Sequence, residues 1–291
     1  GITMDVTLNR GLVHKLMAKL LQYTRRYNFL IPTFTPSQKP VFNGKYQGAF
    51  VLDPEVGFYG DDPVAVLDYA SLYPALIQAY NLDYTTRVLD EEWMAANPDA
   101  YEMQCGVPFV KASTHKGIIP RLEEELALER KAAKRHMASA KVVADGYAKE
   151  LVILQKIGDT ERMDAARALD GDAFDNFIKE FGDISVADGR EDEIAEMKKL
   201  LGAANVSVAV RDSEQLACKI SMNSLYGMLG SPTSTVPMVE IASTITALGR
   251  MNLLMAKDYV EKNYCSLTGR PEDKNARIIY GDSTGEYAKY L

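Results

Sequence analysis

One stretch of the sequence is Val64-Ala65-Val66-Leu67-Asp68-Tyr69-Ala70-Ser71-Leu72-Tyr73-Pro74. Its first four residues are an apolar, β-type run that ends at the carboxylate of Asp68, and the residues after Asp68 are expected to bend. Ionised carboxylates are rarely buried without a charged partner or a metal. Asp68, at the end of a hydrophobic strand, is therefore a candidate metal ligand or catalytic acid. Taken alone, an Asp at such a position more often caps the following turn, so the assignment depends on the rest of the chain.

The same pattern returns near the other end of the sequence. Residues 277–282, Arg-Ile-Ile-Tyr-Gly-Asp, form a second apolar run that ends in an acid, and residues 286–291 follow as a candidate return strand. Two adjacent strands that each carry an Asp at one end would bring Asp68 and Asp282 together. Hard divalent cations such as Mg²⁺ bind carboxylates in this way, with help from substrate phosphates.

Length and composition limit the number of domains, the cellular compartment and the partners that this protein can have. The 291 residues are enough for about two domains of the usual size. Cys105, Cys218 and Cys265 are few and far apart, which favours a reducing, intracellular compartment over a disulfide framework or a cysteine-ligated zinc site. There is no secretory signal at the start and no apolar run long enough for a bilayer, so no membrane partner is expected.

The acidity of the chain is local. Residues 159–196 hold thirteen acidic and four basic residues, a net charge of −9, whereas the whole chain carries −7. Exposed charges are screened beyond about 10 Å at ordinary salt, so a basic surface elsewhere can still hold a polyanion. We interpret residues of about 159–205 as a solvated insertion, because Asp170, Asp172 and Asp175 do not fit the spacing of a calcium-binding loop.

Helical periodicity predicts the long elements. One amphipathic helix is expected over residues 12–27, a short one near 75–79, a long one from about 118 to 158, another over 211–226 and a last one over 237–262. Within the insertion, short pieces such as 174–181 are expected.

Basic and polar side chains repeat at one-turn spacing on two of these predicted helices. Arg130 and Lys134 are at i and i+4, and Lys219, Asn223 and Tyr226 are at i, i+4 and i+7. Two antiparallel helices that present these cations to a common groove would make a clamp for a triphosphate, since Arg offers a bidentate fork and Lys a point charge. Each pair alone is more often a solvated helix face.

Three ordered motifs resemble those of the family B DNA polymerases. They are 68–74, then Lys219 followed by Asn-Ser-Leu-Tyr-Gly at 223–227, and Tyr-Gly-Asp at 280–282. Further stretches resemble the delta-like branch of that family: 81–86, 116–120, the Arg130 and Lys134 pair, and 244–250. Any single motif would be a weak indication, but their order over nearly the whole chain makes the resemblance specific.

This resemblance implies an α/β (α+β) fold. The expected parts are a palm with an antiparallel sheet that carries the catalytic acids, and a fingers subdomain of long antiparallel helices. On this reading, residues 1–110 are the first part of the palm, 111–227 the fingers with the insertion, and 228–291 the second part of the palm. The family's 3′–5′ exonuclease and its thumb are expected to be absent from this chain.

The resemblance also implies roles for individual residues. Asp68 and Asp282 would hold two Mg²⁺ ions and act as the catalytic acids, and Tyr73 would lie under the deoxyribose and exclude a 2′-hydroxyl. The expected triphosphate contacts are Ser71, Leu72, Arg130, Lys134, Lys219 and Asn223. Tyr226 and Gly227 would pack against the nascent base pair.

One position departs from the family pattern Tyr-Gly-Asp-Thr-Asp-Ser. Here the sequence is Tyr-Gly-Asp-Ser-Thr-Gly at 280–285, so Thr284 stands where the second Asp is expected. A neutral hydroxyl does not replace the charge of a carboxylate at a two-cation site. Glu286 is two residues further on and is not expected to compensate across a tight turn.

Three functions of different classes follow. The first is the catalytic core of a DNA-dependent DNA polymerase, with primer–template DNA, dNTP and a processivity factor as partners, working in a host nucleus or at the replication site of a large DNA virus. The second is a non-catalytic, polymerase-like module that binds nucleic acid or protein. The third, an unrelated palm-type enzyme such as a reverse transcriptase or a nucleotide cyclase, is disfavoured by the motifs at 71–74 and 219–227.

Overall fold

The computed structural model describes residues 12–31, 48–60, 63–182, 189–231, 234, 236–269 and 275–283. This part of the chain is rich in helix and contains one two-stranded antiparallel sheet. In chain order the elements are α1 (Leu12–Tyr27), α2 (Leu72–Ala79), α3 (Glu91–Ala96), β1 (Tyr101–Gln104), β2 (Val107–Val110), α4 (Ile118–Lys156), α5 (Thr160–Arg167), α6 (Gly171–Phe181), α7 (Glu191–Gly230) and α8 (Val239–Thr268).

Local sequence signals account for where several elements begin and turn. Asp90 caps α3, because its Oδ1 accepts hydrogen bonds from the amides of Glu92 at 2.9 Å and Trp93 at 3.1 Å. The β1–β2 hairpin turns at Cys105 and Gly106, both with positive φ, as a type I′ turn requires. Tyr101 then pairs with Val110 and Gln104 with Val107.

The chain divides into two compact units. Unit 1 comprises Gly1–Ala127 and Ile220–Leu291, and unit 2 comprises Leu128–Lys219. Whether they correspond to the predicted palm and fingers stays a prediction.

Unit 1 has a hydrophobic core that draws on α1, α2, α4, α7 and α8. On α1 the buried residues Leu16, Leu20 and Tyr23 recur at one-turn spacing, as the periodicity predicted. The rest of this core includes Leu72, Tyr73, Ile77, Leu82, Phe109, Ile118, Ile119, Leu122, Met222, Leu225, Met228, Ile241, Ile245 and Leu248.

Unit 2 has its own, smaller core. It is formed by the end of α4, by α5 and α6, and by the start of α7, with Ile153, Leu154, Ile157, Met163, Ala166, Ile178 and Ile194 buried. Surface contacts add to it, since Lys149 pairs with Asp170 at 2.9 Å and Arg167 binds Glu150. The insertion is therefore folded onto the end of a long helix, an outcome that its composition left open.

Several predicted helices are confirmed, and two predictions are wrong. The helix expected to begin near residue 211 and to end before Gly227 runs from Glu191 to Gly230, because a glycine inside a long helix costs only about 1 kcal/mol. The buried strand expected at 64–68 is not formed. Residues 63–69 are neither helix nor strand, and Val66 and Leu67 are 70% and 73% exposed. A strand is stable only when a neighbour takes up its hydrogen bonds.

Candidate functional site

The first motif turns sharply between an extended segment and a helix. Ser71 takes left-handed backbone angles, φ 58° and ψ 57°, and its carbonyl accepts the amide of Ala75 at 2.9 Å to begin α2. A residue other than glycine adopts this conformation at a cost of order 1 kcal/mol. Asp68 lies before this turn and is exposed, whereas Leu72 and Tyr73 lie after it and are buried.

The buried part of the motif meets two helices of unit 1. The centroid of the Tyr73 ring lies 4.6 Å from that of Tyr226 on α7, with the planes tilted by 45°. Before the turn, the Tyr69 hydroxyl donates a hydrogen bond to the carbonyl of Asn252 on α8 at 3.1 Å. Tyr73 and Tyr226, to which the family resemblance gives roles beside the incoming nucleotide, are thus in contact.

The other residues predicted on this part of α7 point to open space. Asn223, one turn before Tyr226, is exposed, and so is Gly227. A Cβ added at Gly227 would have no atom within 4 Å. This surface leaves room for a ligand beside the Tyr73–Tyr226 pair.

The second acidic motif pairs with an extended segment of unit 1. Asp282 forms an antiparallel bridge with Val51, the amide of Leu52 donates to the carbonyl of Gly281 at 2.8 Å, and the amide of Ser283 donates to the carbonyl of Phe50 at 2.9 Å. Asp282 is half-buried and Ser283 is fully buried. The predictions on Thr284, Glu286 and the return strand lie outside the described residues.

The donor chemistry of Asp68 and Asp282 fits Mg²⁺. This ion is usually bound by one or two carboxylates, with water and substrate phosphates as the remaining ligands. Within the described residues, no group of three His, Cys, Asp or Glu side chains forms a ready-made metal site. Whether Asp68 and Asp282 share a cation stays a prediction.

In unit 2, the basic residues on α4 and α7 lie where these helices meet. Arg130 Nε donates to Gln215 Oε1 at 3.4 Å, and Cys218 Sγ lies 4.0 Å from Glu129 Oε2. From Glu129 to Arg130 on α4, the contacting residue on α7 moves back from Cys218 to Gln215. The two helices therefore run antiparallel, as predicted. Lys219 is one turn from Gln215 on α7, so Arg130 lies beside the face that carries Lys219.

Lys134, one turn after Arg130 on α4, is exposed, whereas Arg130 and Lys219 are half-buried. Arg130, Lys134 and Lys219 thus lie on two neighbouring helices of unit 2, and their role as a triphosphate clamp stays a prediction.

The sequence did not reveal a hydrogen-bonded anchor that holds the start of α4. Asn81 Nδ2 donates to the carbonyls of Val110 and His115, and its Oδ1 accepts the amide of Gly117 at 2.9 Å. Asp83 Oδ2 accepts the amide of Ile118 at 2.7 Å. Burial raises the pKa of Asp83, although these hydrogen bonds favour its ionised form.

In the sequence, residues 81–86 show only a resemblance to the delta-like branch of the family and no capping pattern. Asp83 caps α4 from 35 residues away, so no local capping pattern could identify it.

Comparison with known proteins gives these motifs a common context. Residues 2–151 and 191–284 match the model of DNA polymerase family B. The chain belongs to the family B DNA polymerases. The match leaves out residues 152–190, which include α5 and α6. That residues of about 159–205 form an insertion stays a prediction.

Relatives of the chain include DNA polymerase delta catalytic subunits. That of Dictyostelium discoideum is 32% identical over 291 residues, which is 100% of this chain and 20% of the relative. Those of Glycine max and Drosophila melanogaster are 32% and 29% identical over 97% of this chain and 20% of theirs. The chain thus spans about a fifth of the length of these relatives. The viral source stays a prediction.

No helix in the described ranges combines the length and the apolar character that a membrane span needs.

Proposed function

We propose that this chain is part of an enzyme for template-directed DNA synthesis. In this reaction a primer 3′-hydroxyl attacks the α-phosphorus of a dNTP, a new phosphodiester bond forms and pyrophosphate leaves. The observation that carries the proposal is the family match over residues 2–151 and 191–284, which includes all three motifs. Primer–template DNA and dNTP would be its ligands, and a processivity factor would bind the full-length protein.

The residues divide the work by chemistry. Asp68 and Asp282 would hold Mg²⁺, which supplies positive charge at the attacking hydroxyl and at the triphosphate. Arg130, Lys134 and Lys219 would grip the triphosphate and offset charge on the leaving group.

The remaining residues select and orient the substrate. Asn223 and the backbone at Ser71 and Leu72 would add hydrogen bonds to the phosphates. Tyr73 would exclude a 2′-hydroxyl by contact, and Tyr226 with Gly227 would pack against the new base pair. Base choice would then come from pairing and shape.

Thr284 is the site at which this proposal is tested most directly. Because a hydroxyl lacks the charge of the expected carboxylate, we expect the wild-type chain to extend a primed template poorly or not at all. In a full-length chain, Thr284→Asp should raise Mg²⁺-dependent incorporation steeply, and Thr284→Asn, similar in size but neutral, should not. Robust extension by the wild-type chain, or a gain of activity that is equal in the two variants, would show that the alignment at this turn is wrong.

A second function is favoured by the same residue. A non-catalytic module that binds nucleic acid would keep the basic face of α4 while losing an acid of the metal site. It predicts salt-dependent binding of primed DNA without incorporation, even in the Thr284→Asp variant. Binding and extension measured on the same samples separate the two functions.

A further inference from the structure

Gly249 lies on α8 where that helix meets the first turn of α2. A Cβ built at Gly249 would lie 3.1 Å from Cε1 of Tyr73, 3.7 Å from Cδ2 of Leu72 and 3.9 Å from Cδ1 of Leu76. The first distance is tighter than nine in ten real Cβ contacts, so the ring must give way by a few tenths of an ångström. The Tyr73 ring therefore rests on a point of α8 that has no side chain.

The same stretch of α8 holds the motif on both sides of its turn. Tyr69 donates a hydrogen bond to the carbonyl of Asn252, three residues after Gly249. Helix α2 has only eight residues, and a helix this short depends on tertiary contacts for its position. The neighbours that place Tyr73 thus include α8 at Gly249 and the Tyr226 ring at 4.6 Å.

We propose that Gly249 is a positioning residue that sets how far the Tyr73 ring reaches toward the sugar of the incoming nucleotide, and thereby tunes discrimination between deoxyribose and ribose. This inference rests on the proposed function. Contact exclusion of a 2′-hydroxyl depends on a few tenths of an ångström, since repulsion rises steeply inside van der Waals distance. A methyl group at position 249 must displace the ring, or the helix that carries it, by a similar amount.

The experiment compares Gly249→Ala with Tyr73→Ala and Gly146→Ala in the full-length protein that carries Thr284→Asp, because incorporation without that change is expected to be poor; this protein is the wild-type reference at the three positions. Gly146 is a matched control, because it also lies inside a helix but a Cβ there meets no atom within 4 Å. The readout is the ratio of ribonucleotide to deoxyribonucleotide incorporation at a single template position. We expect Gly249→Ala to change this ratio by at least about threefold, in either direction, and Gly146→Ala to leave it unchanged.

The outcomes separate the inference from the proposed function. If Tyr73→Ala relaxes sugar selectivity and Gly249→Ala leaves the ratio at the wild-type value, the inference is wrong and the role of Tyr73 stands. If Tyr73→Ala leaves the ratio unchanged, the proposed role of Tyr73 is wrong.

Thermal unfolding decides the contact itself, even where no incorporation is measured. Alanine in place of glycine favours a helix, so Gly249→Ala should raise the Tm in a Tyr73→Ala background and lower it, or raise it less, beside the intact ring. Equal shifts of Tm in the two backgrounds would overturn the proposed contact.

Discussion

Replacing Glu123 with leucine should raise the free energy of unfolding at neutral pH, because the wild-type side chain is an acid inside the core of unit 1. Glu123 lies in the second turn of α4 with no exposed surface, between Leu122 and other core residues. Neither carboxylate oxygen has a hydrogen-bond partner among the described residues. Burial raises the pKa of Glu123 from 4.5 to about 9.

The sign and size of the effect follow from proton linkage. The native state keeps a proton on Glu123 above pH 4.5, whereas the unfolded chain releases it, so native stability falls as the pH rises from 4.5 to about 9. Each pH unit in that window costs about 1.4 kcal/mol. The cost is therefore roughly 3 kcal/mol at pH 7 and at most about 6 kcal/mol above pH 9. Leucine removes it and keeps a similar volume.

Urea unfolding at pH 5, 7 and 9 tests this, with fluorescence of Trp93 as the probe. Trp93 is the sole tryptophan of the chain and lies in unit 1. The wild type should lose stability with pH more steeply than Glu123→Leu. Asp83 also titrates with a raised pKa, but it is common to both proteins and cancels in the difference.

Two further variants frame this result. Glu123→Gln should abolish the same slope while gaining less stability, because an unpartnered amide stays buried. Glu124→Gln, which removes a half-exposed carboxylate paired with Lys116, should change stability by less than about 1 kcal/mol. Parallel pH profiles of the wild type and Glu123→Leu would refute the reasoning.

Two other substitutions probe the units separately. Gly117→Ala should destabilise unit 1 by about 1–3 kcal/mol, because its Cβ would lie 2.6 Å from Cβ of Asp83. Gly146→Ala, where a Cβ meets no atom within 4 Å, should not. Equal urea midpoints of Trp93 fluorescence for the two variants would argue against the Asp83 anchor of α4. Ile157→Ala, at a residue only 1% exposed, should lower the free energy of unfolding measured by helical circular dichroism by about 2–5 kcal/mol. The unfolding transition measured by Trp93 fluorescence should shift less. An equal shift in both signals would mean that the two cores unfold together.

The long helices were predictable because their signal is local. Leu16, Leu20 and Tyr23 repeat at the helical period and are all buried, and the helix over Leu12–Tyr27 was predicted with these bounds. The prediction of a helix over 211–226 was wrong at its start, which lies inside the acidic segment. The charged residues of that segment were interpreted as a solvated insertion, although they also fit a helical pattern. The helix in fact begins at Glu191.

The sequence supplied the residue types of the candidate site and their order, and the roles assigned to these residues stay predictions. Arg130 and Lys219 were placed on facing antiparallel helices, and the Arg130–Gln215 hydrogen bond agrees with that. Val66 and Leu67, in contrast, were expected in a buried strand and are exposed. An apolar, β-type run such as 64–67 indicates a tendency to form a strand. The strand itself forms only where a neighbouring strand accepts and donates its backbone hydrogen bonds.

By itself, the sequence determined the chemistry that this protein can present: the acids Asp68 and Asp282, the cations of two helices, and a threonine in place of an acid. Only the tertiary structure decided that Tyr73 rests against Gly249 and Tyr226 and that Asp83 caps a helix 35 residues away. It also decided that Glu123 is buried with no hydrogen-bond partner in the part of the chain that the structure describes. The physical reason is that propensity and periodicity act between neighbours along the chain. Contacts between distant residues depend on how whole elements pack.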